Sequence, residues 1–446
     1  MGDDSTVGII LAGGRGERAK PITLQSADYI RSKALIPFAG RPLIEWIVES
    51  CRDQGIRCFY VVAQGAENRS QIKLVLGHGE RYGVEIDYSR ARFDQYNVGS
   101  GAATLHNLEQ WNLTGSALVM PVDSLFDYSL DDLRATHEAT DAVVTVAAVP
   151  RTPEEIAGKY GVMRTTRDGL VSGFLEKPRL GRIHEEFASI GVPWASSTLP
   201  TNAGMYLIDC ARLRLAARTP ELIRLAQQRL DWGHDLLPWL VGHDQPVAVD
   251  PIARLGDLGS IGDYLGTLGE ALNGLYPYVN RALGDPLSEK PRYWIHETSL
   301  RTKDSVSGTT LAQKIAEGSV VLGPGVRIGR HAEIGTGVHL QYTDIGDGVD
   351  VAEGVRLDRT VIGDGAVIGP HAHISDSYVG PMVQVQSDRR APVRLEQHTA
   401  VGDGAHLWPG TRLSGVSVYP RLRVPALSGV PAGTQLTSSD DVLQWI

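Results

Sequence analysis

Three cysteines in 446 residues, Cys51, Cys58 and Cys210, are too few for a disulfide scaffold. Their odd number points to reduced thiols and a cytoplasmic protein. Long apolar runs are missing too: none approaches the ~20 residues of a membrane-spanning helix. The acidic Met1–Asp4 start lacks the basic and apolar regions of a signal peptide, so no membrane partner is expected. A formal net charge of −9 argues against a general nucleic-acid binder, although a local basic cleft is compatible with it. Two nucleotide signatures are also absent. No Gly-Lys-Ser/Thr follows the first glycine-rich turn, which excludes a P-loop. Gly13, Gly14 and Gly16 do not have G-x-G-x-x-G spacing, which excludes the dinucleotide fingerprint.

What is present begins at Val7–Leu11, a β-branched apolar run of strand character. It opens into Gly13-Gly14-Arg15-Gly16, followed by Arg18 and Lys20. Such a turn presents backbone N–H groups unobstructed by side chains, a cradle for phosphate oxygens, and the basic residues add formal charge. The alternative is a tight surface turn with solvated basic residues.

The continuation separates the two readings. Arg31-Ser32-Lys33-Ala34-Leu35-Ile36-Pro37 leads into Phe38-Ala39-Gly40-Arg41-Pro42-Leu43-Ile44. With Leu11, Ala12, Gly13, Gly14, Gly16, Arg18, Pro21 and Thr23, this resembles the opening of the sugar-1-phosphate nucleotidylyltransferases, whose signature is L-A-G-G-x-G-T-R-L-x-P-L-T, then K-P and P-x-x-G-x-P-L-I. Glu17 stands where that family has Thr, Ala19 where it has Leu, and Ala34 follows the lysine in place of Pro. A carboxylate at position 17 repels a triphosphate unless it points outward or helps hold a metal.

The resemblance implies a set of roles. Leu11, Ala12, Gly13, Gly14, Arg15 and Gly16 would bind the nucleotide, with Arg18 and Lys33 neutralising the triphosphate. Asp123, at the end of the strand-like Ala117–Val122, would be a Mg²⁺ ligand, its structural alternative being a turn cap. Asp257, in Leu255-Gly256-Asp257-Leu258-Gly259-Ser260, resembles the family's second metal ligand; by itself it is a turn residue. Gln95-Tyr96-Asn97-Val98-Gly99-Ser100 resembles the base-binding loop, giving Gln95, Gly99 and Ser100 to the nucleotide. Glu176-Lys177-Pro178 and Asn202-Ala203-Gly204-Met205-Tyr206 resemble the sugar-phosphate segments, giving Glu176, Lys177, Asn202 and Gly204 to that substrate. Asp231-Trp232-Gly233-His234-Asp235 is read as mainly structural, with an Asp capping a helix. The implied partners are an NTP and a sugar 1-phosphate, with Mg²⁺ as cofactor. A catalytically silent, effector-binding paralogue is the alternative that Glu17, Ala19 and Ala34 favour.

Two textures organise the chain, which is too long for one ordinary core. From Val7 to about Asp263, strands (Val7–Leu11, Cys58–Ala63, Val84–Tyr88, Ala117–Val122, Ala142–Val149) alternate with helices (Leu43–Gln54, Gly101–Asn107, Leu130–Thr140). That predicts an α/β domain with a mostly parallel sheet and ligands at the carboxyl ends of its strands, and the resemblance makes it Rossmann-like. From Ser319, Leu322, Ile328, Ile334 and Leu340 recur every six residues, resume at Ile345, Val351 and Leu357, then at Ile362, Ile368 and Ile374, and again at Val401, Leu407 and Leu413. A six-residue apolar period means a triangular coil with one aliphatic side chain inside per face, resembling a left-handed parallel β-helix of hexapeptide repeats. Val379–Arg394 is expected to loop out. The expected division is residues 1–265 for nucleotidyl transfer, 266–318 as a linker with a helix, and 319–446 as the β-helix.

The β-helix is expected to assemble a homo-oligomer. His331, His339, His371, His373, His398 and His406 leave an acyltransferase as a lower-ranked reading of it, since solvated corner positions account for most of them. Ser26–Arg31 and Ile183–Leu199 look like insertions relative to simple family members. Ile190, Val192, Pro193 and Trp194 make the second one apolar, which points to a C7-cyclitol phosphate as an alternative to a sugar phosphate.

Overall fold

The computed structural model describes residues 6–14, 16–26, 29–90, 98–188 and 198–446. The chain divides into two compact units that do not follow chain order: Met1–Gly14 with Ile47–Leu255, and Arg15–Trp46 with Gly256–Ile446. Among the described residues, Cys51, Cys58 and Cys210 form no disulfide. No helix among the described residues is long and apolar enough to cross a membrane.

The first unit is built on β1 (Val7–Ala12), β2 (Cys58–Ala63), β3 (Glu85–Tyr88), β4 (Ser116–Pro121), β5 (Val144–Arg151), β6 (Val162–Thr165), β7 (Val171–Leu175), β8 (Leu199–Asp209) and β9 (Val247–Pro251). The sheet order is β7-β6-β8-β4-β1-β2-β3, with β5 pairing β8 and β9. β1 lies parallel between β2 and β4, while β8 runs antiparallel to β4, β5 and β6. The buried centre explains the unbroken apolar runs: Ile9, Ile10, Val61, Leu118 and Val119 have essentially no exposure. Flanking helices include α1 (Ala66–Leu76), α2 (Ser100–Gln110) and α3 (Leu130–Ala139), the last capped by the Ser129 hydroxyl.

The second unit contains a parallel β-helix with three inward columns. Ile334, Val351, Ile368, Val385, Leu407 and Val424 stack on one face. Leu322, Leu340, Leu357, Ile374, Leu395 and Leu413 stack on the next. Ile328, Ile345, Ile362, Val379, Val401, Val418 and Leu436 form the third. The expected loop-out over Val379–Arg394 is narrower in the structure. Val379 and Val385 keep the six-residue step and stay inward, so the extra residues fall between Val385 and Leu395. Several corners carry L-residues in left-handed backbone, among them His331, Tyr342, Arg359, His371 and His398. His339, His373 and His406 lie on strands.

Between Ser260 and the coils the chain forms helices Ile261–Leu272, Pro277–Leu283, Glu297–Arg301 and Leu311–Ala316. Ile183 sits in helix Leu180–Ala188 and packs with Phe187, Ile156, Val162 and Leu199 in a small core. Ile190, Val192, Pro193 and Trp194 lie outside the described residues.

Candidate active site

Because β1, β2 and β4 are parallel, their carboxyl ends share one edge; Gly13 and Gln64 follow directly from β1 and β2, and Asp123 lies two residues past the end of β4. A hollow of about 280 Å³ opens there, lined by Leu11, Gly13, Gly14, Gln64, Gly99, Ser100, Pro121, Asp123, Arg229 and Asp231 among others. This is the crevice at a topological switch point, where open α/β sheets bind ligands. The glycine turn is held by neighbours: Gln64 Oε1 accepts from Gly14 N at 3.4 Å, and Asn68 Nδ2 donates to the Ala12 carbonyl at 2.6 Å. Arg15 lies outside the described residues.

On the other side of the hollow, α2 begins at Ser100. Its preceding Gly99 has φ +91°, and a Cβ there would sit 2.3 Å from the Leu230 carbonyl oxygen, so only glycine fits. Leu230 N donates to Val98 O at 2.9 Å and Ala102 N to Leu230 O at 3.0 Å. Asp231 Oδ1 accepts from Ser100 N at 3.1 Å, and Trp232 N donates to Ser100 Oγ at 3.1 Å. The segment read as structural is thus zippered to the base-loop candidate and contributes Asp231 to the hollow. Within it, Asp235 Oδ2 takes the Asp231 amide at 2.7 Å. Gln95 lies outside the described residues.

Glu176 and Lys177 follow β7. Lys177 takes left-handed backbone (φ +43°), its side chain is 57% exposed, and Nζ lies 3.9 Å from Glu176 Oε1. The Glu176 carboxylate is wedged between two glycines: a Cβ at Gly161 would lie 2.7 Å from Oε2, and one at Gly233 2.6 Å from it. Burial pushes its carboxyl above the ordinary range, with Lys177 and His234 opposing and Asp231 adding to the rise. In β8, Asn202 Oδ1 accepts from Gly204 N at 2.8 Å and its Nδ2 donates to Tyr206 Oη at 3.0 Å. Gly204 has φ +81°. Tyr206 in turn stacks on Trp232, with centroids 4.3 Å apart.

The second unit carries the remaining predicted residues. Gly16 has φ +65° and starts the 3₁₀ turn Glu17–Ala19; a Cβ on it would lie 2.6 Å from Thr23 Cγ2 and 3.3 Å from Lys33 Cγ. Lys33 therefore packs against Gly16. Glu17, the departure from the family pattern, is 62% exposed and pairs with Lys20 at 2.6 Å. Asp257 Oδ1 accepts from Gly259 N at 2.7 Å, and a Cβ at Gly259 would meet that oxygen at 2.9 Å and Arg18 Nη2 at 3.0 Å. Arg18 and Asp257 thus converge on the same glycine.

Among the described residues no three or more His, Cys, Asp or Glu side chains cluster as a metal cage. Single carboxylates at Asp123 and Asp257 suit Mg²⁺, which is ordinarily held by one or two carboxylates together with substrate phosphates. Sequence reasoning missed Gln64, Arg229 and Asp231. Gln64 was reachable, since it is the first residue beyond a predicted parallel strand. Arg229 and Asp231 reach the hollow only through tertiary pairing.

The family model for nucleotidyl transferases matches residues 7–250, more than half of the chain. Among curated proteins the chain is similar to a UTP–glucose-1-phosphate uridylyltransferase of Synechocystis sp., 29% identical over 57% of this chain and 61% of that protein. It is also similar to a glucose-1-phosphate adenylyltransferase of Alteromonas mediterranea, 27% identical over 58% and 60%, and to a small subunit of that enzyme from Triticum aestivum, 30% identical over 40% and 39%. The chain thus spans about 60% or less of the length of these relatives. With the glycine turn, the hollow at the strand ends and the family match in agreement, the chain belongs to the nucleotidyl transferase family and groups with its sugar-1-phosphate nucleotidylyltransferases.

Proposed function

We propose that the protein transfers a nucleoside monophosphate from an NTP to a sugar 1-phosphate, giving an NDP-sugar and pyrophosphate. A phosphate oxygen of the sugar phosphate attacks the α-phosphorus as the bond from that phosphorus to the bridging oxygen breaks, and pyrophosphate leaves. Such a step calls for in-line positioning and charge neutralisation rather than a covalent intermediate. The observation that supports this reading best is the hollow at the ends of β1, β2 and β4, where Gly13, Gly14, Gly99, Ser100 and Asp123 meet.

In this reading Gly13, Gly14 and Gly16 offer backbone N–H groups to the phosphates, with Arg18 and Lys33 supplying positive charge. Gly99 and Ser100 receive the base. Lys177 holds the phosphate of the nucleophile, while Glu176, Asn202 and Gly204 meet the sugar hydroxyls. Asp123 and Asp257 are each assigned to Mg²⁺, which when bound would neutralise charge on the phosphate oxygens. The outward-facing, paired Glu17 leaves the phosphate turn without a repelling carboxylate and favours activity over a silent paralogue. The β-helix is assigned to self-assembly, which sedimentation of the whole chain would test.

The deciding experiment is pyrophosphate release with Mg²⁺, crossing five nucleoside triphosphates against a panel of sugar and C7-cyclitol 1-phosphates. Release that depends on one pairing identifies both substrates. Asp123→Ala and Arg18→Ala should abolish it while leaving the fold intact, and near-normal turnover in either variant would overturn that assignment.

A further inference from the structure

One corner of the β-helix is laid out differently from its neighbours, and the difference involves the glycine turn. Register places Arg330, Asp347, Asp364, Pro381 and Asp403 in successive coils at one edge, each two residues past the aligned Ile328, Ile345, Ile362, Val379 and Val401. Twice the corner aspartate accepts a backbone N–H from the coil before it: Arg330 N to Asp347 Oδ1 at 2.7 Å, and Asp347 N to Asp364 Oδ1 at 2.8 Å. Pro381 breaks the pattern because it has no N–H to donate. Asp403 consequently lacks the partner its position otherwise supplies, and its Oδ1 is buried with no hydrogen bond.

The other oxygen of Asp403 takes Arg31 Nη2 in an ion pair whose side chains are 17% and 8% exposed. Arg31 lies in the stretch that reads as an insertion relative to simple family members. Its Nη1 also donates to the Ile22 carbonyl at 2.7 Å, and its amide donates to the Thr23 carbonyl at 2.9 Å. Thr23 Oγ1 donates to the Gly16 carbonyl at 3.0 Å. Two residues beyond Arg31, Lys33 starts a 3₁₀ turn capped by the Ser32 hydroxyl and packs against Gly16. A continuous set of hydrogen bonds therefore runs from the β-helix corner through Arg31 and Thr23 to Gly16, and through the adjoining chain to Lys33.

We infer that Arg31 and Asp403 are positioning residues for nucleotidyl transfer, fixing the phosphate turn and Lys33 from the β-helix. The inference rests on the reading that Lys33 and the Gly16 turn engage the triphosphate. A buried pair with one orphaned oxygen is a poor route to stability, since apolar residues of the same volume often do as well or better. What the pair supplies is direction, because Arg31 divides its guanidinium between a carboxylate on the β-helix and the carbonyl of Ile22, next to the Thr23 that bonds Gly16.

The test compares Asp403→Asn and Arg31→Lys with Asp364→Ala, all in the full chain. Asp364→Ala deletes a corner carboxylate from an adjacent coil without touching Arg31, and so reports the purely structural cost. A displacement of about 1 Å in a positioning group is worth up to ~100-fold in rate. Asp403→Asn is therefore expected to lower kcat/KM for the triphosphate at least about ten-fold, with KM for the sugar phosphate within about two-fold. Arg31→Lys, which keeps the charge but not the fork, should fall between Asp403→Asn and wild type. Asp364→Ala should lower the thermal midpoint while leaving the kinetics near wild type. Wild-type kinetics in Asp403→Asn, or an equal kinetic loss in Asp364→Ala, would overturn the inference. Lys33→Ala, measured alongside, separates the two layers. If it abolishes turnover while Asp403→Asn is normal, only the positioning role falls; if it leaves turnover intact, the reading of the phosphate turn falls with it.

Discussion

The Asp231 carboxylate accepts the backbone N–H of Ser100 at 3.1 Å across 131 residues of chain. It does for α2 what an N-cap side chain ordinarily does, because Gly99 at that position has no side chain to offer. Its other oxygen meets Arg229 Nε at 2.9 Å, and both residues line the hollow. Asp231→Ala should therefore cost about 1–2 kcal/mol of stability. It should also raise KM for the triphosphate several-fold without changing KM for the sugar phosphate. Denaturant titration and initial rates check the two parts separately, and an unaltered triphosphate KM would remove this segment from the base site.

Gly233 is two residues away and packs against Glu176, which is assigned to the sugar phosphate. Its backbone is not left-handed, so alanine meets no conformational strain there; the obstacle is the 2.6 Å approach of its Cβ to Glu176 Oε2. Gly233→Ala should push the Glu176 carboxylate out of its place. The expected result is a rise of about ten-fold in KM for the sugar phosphate, the scale of one lost charged hydrogen bond. KM for the triphosphate should stay within about two-fold. A variant whose sugar-phosphate KM matched wild type would show that Glu176 does not touch that substrate.

How much of this was legible in the sequence depends on how local the signal is. The strand Cys58–Ala63 is in place residue for residue, and the helices starting at Leu43 and Leu130 begin where expected, because apolar period and capping are short-range properties. The β-helix was legible because each inward aliphatic repeats a local rule. The parts that escaped are non-local. Nothing near Asp231 in sequence announces Ser100, and nothing near Arg31 announces Asp403. The break in the coil is shorter than Val379–Arg394 because Val379 and Val385 keep the six-residue spacing and stay in register. The pairing of residues 15–46 with 256–446 in one compact unit is likewise a property of packing that no window of sequence carries.

Lys314 and Asp304 make a second buried ion pair, 1% and 7% exposed, with Lys314 Nζ also donating to the Ile334 carbonyl. Burial alone would raise the Asp304 carboxyl, but hydrogen bonds from Lys314, the Val306 amide and Ser307 outweigh it and hold it at about 2. A pKa depressed below the unfolded value of about 3.9 gives stability that is present above that value and lost as pH falls towards 2. Lys314→Met should cost roughly 3–5 kcal/mol at neutral pH, since it strands a buried carboxylate. It should also make stability less sensitive to pH between about 4 and 2. Denaturant midpoints at several pH values test this, and a wild-type acid profile in Lys314→Met would show that Lys314 does not control the titration of Asp304.

Asp123 lies two residues past the end of β4, and the preceding Val122 donates its backbone N–H to the Leu11 carbonyl of β1 at 3.1 Å. Asn at this position keeps one oxygen and the shape of the side chain while removing the charge that a hard divalent cation requires. Asp123→Asn should therefore raise the Mg²⁺ concentration for half-maximal pyrophosphate release by at least about ten-fold and lower the saturated rate by about 100-fold or more, several kcal/mol of transition-state stabilisation. The thermal midpoint should change little, since among the described residues Asp123 belongs to no cluster of three or more His, Cys, Asp or Glu side chains. Chelation of Mg²⁺ should silence the wild type reversibly. A variant with the wild-type Mg²⁺ dependence but a low rate would move Asp123 from the metal to the positioning of the nucleotide, whereas a variant with both properties unchanged would take it out of the site.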